Sequence, residues 1–246
     1  MAAWAIVLLA ALALAAGGAV KGTTGLGLPL VAVPLLTYVM GLTQAIELMV
    51  VPIVASNLAQ SFQGGVFLPM LRRFWTLLLP LVLAIVASAY LLVQLPEHIL
   101  DLLLGLALVT LTPLLYFGRR LRVPPRSERW LSPTIGLVSG ALGGFSTIFG
   151  PPVMLYLRAL GLAKTEFVAA LSLIYFVGSI GITVGIYGVG PGRLSDLGLS
   201  CAACLPVFAG LWLGQRVHNR LSEERFGQVL VLILTAIGVS FVVRGL

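Results

Sequence analysis

The chain has 246 residues and is 59% hydrophobic, and its 15 basic and 8 acidic residues make up only 9% of it. A soluble domain carries about 25% charge, so this chain cannot cover a water-facing surface and is an integral membrane protein. Its formal net charge of +7 does not signal a nucleic-acid partner, because the basic residues punctuate apolar segments instead of gathering on one face.

Charge-free windows divide the chain into candidate spans. They run 2–20, 22–46, 48–71, 74–96, 102–118, 130–157, 167–192, 197–215 and 226–243. A helix needs about 20 apolar residues to cross about 30 Å of hydrocarbon, so most windows hold one span. Runs such as Leu77 to Leu92 do not alternate as barrel strands do. The predicted fold is an all-α polytopic membrane protein. The first window ends in small residues near Ala16 to Ala19 but lacks the basic start of a signal peptide. It reads as the first membrane helix of a multi-pass protein of the cell (inner or plasma) membrane.

Two windows are interrupted. The stretch 1–40 is broken by Gly22, Gly25 and Gly27, with Pro29 and Pro34 just beyond. The stretch 131–160 is broken by Gly143, Gly144, Gly150, Pro151 and Pro152. Glycine and proline this dense disrupt the helical ladder, and a membrane tolerates such breaks only where they are buried in protein or line a cavity. The two breaks also correspond. Thr24 falls on Thr147, Gly27 on Gly150 and Pro29 on Pro152, while Gly41-Leu42 and Gly161-Leu162 recur with a shift of three. The chain therefore reads as two repeats, 1–117 and 131–246, joined by an Arg-rich linker at 118–130. Paired Gly/Pro interruptions in two halves point to a transporter's binding site.

Positive charge selects the topology. If each broken stretch crosses once, the eight spans leave nine basic residues on one face and five on the other. If each is instead a hairpin returning to its starting face, Arg72, Arg73, Arg119, Arg120, Arg122, Arg126, Arg129, Arg158, Lys164, Arg216, Arg220 and Arg225 share one face. That sets twelve against Arg193 and Arg244, with Lys21 in neither count. The second asymmetry is what the positive-inside rule expects. It predicts two inverted repeats, each a Gly/Pro-broken helical hairpin followed by three transmembrane helices, with both termini outside and the linker cytoplasmic.

Each break offers helix N-termini, which attract anions, together with hydroxyls. The candidate substrate-binding residues are Lys21, Gly22, Thr23, Thr24, Gly25, Gly27 and Pro29 in one half. In the other they are Gly143, Gly144, Ser146, Thr147, Gly150, Pro151 and Pro152. Such a pair would hold an oxyanion between the two motifs near the membrane midplane. The plainer alternative is that the glycines and prolines allow tight packing and the hydroxyls satisfy backbone. Lys21 either attracts an anion beside the break or snorkels to an interface. Candidate lining residues are Asn57 and Gln60, in a polar stretch with Ser56, Ser61 and Gln63. Ser172, Tyr175, Ser179 and Thr183 join them, sharing one helical face. Interhelical hydrogen bonding would explain these equally. Glu47 is the candidate for coupling to protons or Na+, or else sits at headgroup level. Cys201 and Cys204 form C-x-x-C inside an apolar helix and read as small packing residues.

No metal cluster, P-loop or dinucleotide fingerprint appears, so no cofactor is expected and transport would be secondary or channel-like. Gly144-Phe145-Ser146-Thr147 lacks the final glycine of an intramembrane serine-protease motif, and the chain does not read as an enzyme.

The repeated Gly-rich break followed by proline and an apolar helix resembles the sulfite exporter TauE/SafE family, the toluene-sulfonate uptake permeases, over essentially the whole chain. The first copy departs from adjacent glycines in having Gly25-Leu26-Gly27-Leu28, and Lys21 stands where a small residue is usual. The resemblance implies secondary transport, with export as the direction, of small sulfur-containing anions such as sulfite, sulfonates or sulfoacetate. The alternatives are a channel-like permease for another small anion and a non-transport membrane scaffold.

Overall fold

The computed structural model describes residues 3–24, 28–61, 67–117, 122–189, 197–218 and 223–246. They form ten α-helices and no strand. In chain order these are α1 (Ala3–Thr24), α2 (Leu28–Met40), α3 (Leu42–Ser61), α4 (Phe67–Gln94) and α5 (Glu97–Phe117). After the linker come α6 (Pro125–Ser146), α7 (Gly150–Ala159), α8 (Lys164–Val184), α9 (Leu197–His218) and α10 (Glu223–Gly245). A π-helical turn, Gly185–Val189, extends α8. Five helices are long and apolar enough to cross a membrane: Trp4–Thr23, Phe67–Tyr90, Thr165–Gly188, Leu197–Arg216 and Gln228–Gly245. Their outward faces carry large apolar side chains such as Leu205 and Leu232, 76% and 72% exposed. Lipid solvates such faces and water would not. The protein is a multi-pass membrane protein.

α6 begins within the Arg-rich stretch 118–130. Pro125 to Trp130 already belong to α6, with Pro125 at the first position, where a missing N–H costs nothing. Residues 118–121 lie outside the described residues.

Packing regroups the helices. One compact unit holds residues 1–53, 95–109 and 192–246, and the other holds 54–94 and 110–191. Each unit therefore draws on both sequence halves.

In the first unit α1 and α9 run parallel and nearly touch. Gly18 and Gly22 meet the backbone of Val207 and Leu211, and Gly210 and Gly214 meet that of Ala15 and Ala19. Any side chain at these four positions would strike a carbonyl, the small-xxx-small geometry of membrane helix pairs. Gly22 thus lies inside α1 and seats it on α9; it does not break the helix, contrary to the reading from glycine density. α5 and α10 run antiparallel through Gly105, Gly238 and Gly245. Arg244 closes this packing with an ion pair to Asp101 at 3.3 Å and lies over the rings of Tyr38 and Phe241.

Pro52 sits within α3 and has no N–H for the Leu48 carbonyl four residues back. Ser200 of α9 repairs the gap. Its hydroxyl donates to Leu48 O at 2.9 Å and accepts the Val51 N–H at 3.0 Å.

The second unit repeats the close parallel pairing with other helices. Gly136, Gly140 and Gly144 of α6 press on the backbone of Leu77, Leu81 and Ile85 in α4. The Ser88 hydroxyl lies within 2.7 Å of Ala84 O and 3.2 Å of Gly140 O. Gly143 and Gly144 are therefore helical too, and the expectation that they break the segment fails for the same reason as at Gly22. Arg73 and Glu128 tie the starts of α4 and α6 with two bonds, at 2.8 and 3.0 Å. α7 runs back along α6. The Ser132 and Tyr156 hydroxyls meet at 2.6 Å, and Val123 N–H donates to Ala159 O at 2.8 Å. The end of α7 is thus at the linker, where α6 began.

Replacing Ser200 with Ala would take the hydroxyl from the Leu48 carbonyl and the Val51 N–H and leave the carbonyl without a donor at Pro52, a loss of about 1–3 kcal/mol. The expected outcome is a lower unfolding midpoint in detergent; an unchanged midpoint would mean that α3 satisfies these groups alone.

Candidate functional site: the two helix breaks

At the second break, α6 ends because Thr147 turns left-handed, with φ 59, and donates its N–H to Gly143 O at 2.8 Å. The neighbouring hydroxyls maintain that turn. Ser146 Oγ donates to Leu142 O at 2.6 Å and accepts the Ile148 N–H at 3.1 Å. Thr147 Oγ1 donates to Ser146 O at 2.6 Å. Both side chains are buried, and their protons are spent on backbone.

α7 then starts at Gly150, with Phe149 as its N-cap and no side-chain cap. A helix normally presents several orphan N–H groups at this end, but Pro151 and Pro152 have none. What remains are the N–H groups of Phe149 and Gly150, which have no acceptor among the described residues. The Phe149 ring is fully buried and packs on Tyr175 of α8, with centroids 5.0 Å apart. Gly143 and Gly178 make room for it, since a Cβ on either would come within 2.9 or 2.7 Å of Phe149. Gly150 makes room in turn for Tyr175, whose hydroxyl occupies the place of the missing Cβ.

The first break matches in outline. It lies between Thr24, the last described residue of α1, and Leu28, the first of α2. Gly25 and Gly27 lie outside the described residues, as does the side chain of Thr24. Thr23 Oγ1 donates to Val20 O at 2.8 Å, and Pro29 is buried in the first turn of α2. Lys21, only 3% exposed, lies in the last turn of α1, where carbonyl ends favour a cation. Both return arms stop at a left-handed glycine, Gly41 with φ 83 and Gly161 with φ 66. α2 has 13 residues and α7 has 10, so the sequence shift of three between these glycines is a difference in arm length.

The remaining candidates divide. Ser179 and Thr183 donate to Phe176 O and Ser179 O within α8, at 2.6 and 2.8 Å. They stabilise their own helix. Tyr175 and Ser172 are buried on the same face, and neither hydroxyl has a partner among the described residues. Ser56 and Asn57 are buried in α3, and Ser61 Oγ donates to Leu58 O at 2.9 Å. The Gln60 side chain and all of Gln63 lie outside the described residues. Glu47 is half-buried in α3. Cys201 and Cys204 are free thiols, the first exposed on the outer face of α9. Among the described residues no group of three His, Cys, Asp or Glu could hold a metal. Sequence reasoning missed the pairing of Gly150 with Tyr175 and the packing roles of Gly136, Gly140, Gly210 and Gly214. Their spacing of four was the available signal for the packing roles.

The sequence profile of the sulfite exporter TauE/SafE family matches residues 9–241, nearly the whole chain. The chain belongs to the TauE/SafE family. No curated protein and no solved structure matches it. TauE/SafE proteins are membrane transporters of sulfite and related sulfur anions, not enzymes. Both breaks of this TauE/SafE chain, with all the residues described around them, fall inside the matched region.

A left-handed conformation costs a β-branched residue about 1–2 kcal/mol. Thr147→Gly is therefore expected to hold or raise the unfolding midpoint in detergent. A clear fall would show that the Thr147 hydroxyl bond outweighs the strain.

Proposed function

We propose that this TauE/SafE protein is a secondary exporter of small sulfur-containing anions, namely sulfite, sulfonates or sulfoacetate, bound at the broken-helix ends. The observation that carries this reading is the start of α7, where a buried helix end keeps free N–H groups directed away from its own backbone. A helix N-terminus in a dry setting favours negative charge. Depth agrees with it. The ten residues of α7 rise about 15 Å from the linker end, half of a hydrocarbon core of about 30 Å.

The inverted-repeat reading has its own support. The helix before each break packs in parallel on the fourth segment of the opposite half, α1 on α9 and α6 on α4, through glycines four residues apart. The left-handed glycines that end the two return arms add to it. We place the linker, with Arg122, Arg126 and Arg129, in the cytoplasm of a cell-membrane protein. The return of α7 to Val123 adds Arg158 to the same side. The breaks supply the substrate-binding residues. In the first these are Lys21, Gly22, Thr23, Thr24, Gly25, Gly27 and Pro29, with the buried ammonium of Lys21 adding charge. In the second Gly150 offers its N–H to the anion, while Gly143, Gly144, Ser146, Thr147, Pro151 and Pro152 shape the break around it. Asn57, Gln60, Ser172 and Ser179 line the path, and Glu47 couples transport to protons or Na+.

Proteoliposomes loaded with labelled sulfite, and in parallel with an organosulfonate, test the function directly. Efflux that a proton or Na+ gradient accelerates is expected. Gradient-independent flux would make the protein a channel-like permease. Absence of flux, together with no thermal shift from any small oxyanion, would favour the scaffold reading. For the topology, a cysteine placed at residue 125 should react with a membrane-impermeant reagent only from the cytoplasmic side. Labelling from outside would overturn the linker assignment.

A further inference from the structure

We infer that the Tyr175 hydroxyl is the substrate's side-chain hydrogen-bond donor at the second break, paired with the Gly150 N–H; this rests on the proposed anion-transport function. The argument starts from what the break lacks. Pro151 and Pro152 remove two of the N–H groups that a helix end would offer, and the Ser146 and Thr147 protons are committed to Leu142 O and Ser146 O. An oxyanion there would meet the Gly150 N–H, the Phe149 N–H and little else from α6 or α7.

Tyr175 supplies the missing donor from α8. It is 8% exposed, yet its hydroxyl has no partner among the described residues. Its position is specific, because the oxygen stands where a side chain at 150 would begin, beside the first free N–H of α7. Phe149 holds the ring from the other side at 5.0 Å, and Gly178, one turn further along α8, is bare to admit that packing. Two donors thus converge on one place, with aromatic and proline rings around them. A neutral hydroxyl donor beside a helix N-terminus suits an oxygen acceptor carrying negative charge, and the positive end of the helix disfavours a cation. Glycine at 150 is then needed for the ligand, because a methyl group would displace the donor.

The test uses purified full-length protein and sulfite as the probe. Tyr175→Phe keeps the ring and its packing on Phe149 and deletes only the donor. The expected result is an about tenfold or larger rise in the sulfite concentration for half-maximal flux and half-maximal thermal shift, the usual effect of losing a hydrogen bond to a charged group. The ligand-free midpoint should stay within a few degrees of wild type. Gly150→Ala is expected to weaken sulfite binding at least as much. Sulfite affinity within twofold of wild type in Tyr175→Phe, with wild-type protein transporting normally, would overturn the role of Tyr175 and leave the transport function standing. Wild-type protein that neither moves nor binds sulfite or an organosulfonate would overturn both.

Discussion

Inside a bilayer every backbone N–H and C=O must find its partner within the protein, and most of this structure is a response to that demand. Each helix end and each internal proline creates orphans. Pro52 orphans the Leu48 carbonyl, and a serine from a distant helix supplies the proton. The end of α6 orphans carbonyls, which Ser146, the Thr147 hydroxyl and the Thr147 N–H then satisfy. At the start of α7 the protein does something different. It removes donors with Pro151 and Pro152 and leaves the few that remain unused. Among the described residues, the contrast with the repairs at Pro52 and at the end of α6 is what the proposed ligand site rests on.

Glycine serves two physical ends in this chain. At Gly41 and Gly161 it permits a left-handed turn. At Gly18, Gly22, Gly136, Gly140, Gly144, Gly210 and Gly214 it lets two helix backbones approach until carbonyls fill the space of a side chain. Lipid offers no hydrophobic drive for helices to associate, so contact of this kind is a main source of cohesion. The parallel pairs α1–α9 and α4–α6 give each unit a rigid helix beside its break, and the short return arm is left to present its end.

Much of the fold was legible from charge and glycine alone. Ten segments, a hairpin in each half and the stretch around the linker follow from where the charges fall, because lipid excludes them so strongly. Membership of the TauE/SafE family followed from the doubled break. What stayed hidden is instructive. Gly22, Gly143 and Gly144 read as breakers, since composition cannot tell a glycine that ends a helix from one that flattens its face. The carbonyls that take the Ser146 and Thr147 protons were hidden too, since a sequence does not reveal which acceptor is close enough. The Ser200 repair of Pro52 and the position of Tyr175 over Gly150 join residues 148 and 25 positions apart, and no local pattern announces such contacts.

The shortness of α7 has an electrical consequence. At the proposed site, an anion at the first residue of α7 would stand about half-way through the hydrocarbon and would have crossed roughly half of the membrane potential. Moving a unit charge through a full 100 mV is worth about 2.3 kcal/mol, so arrival at this depth is worth about 1.2 kcal/mol per 100 mV. A membrane negative inside would push an anion outward from the moment it leaves the cytoplasm, and a site at the proposed depth would divide that push evenly between loading and release.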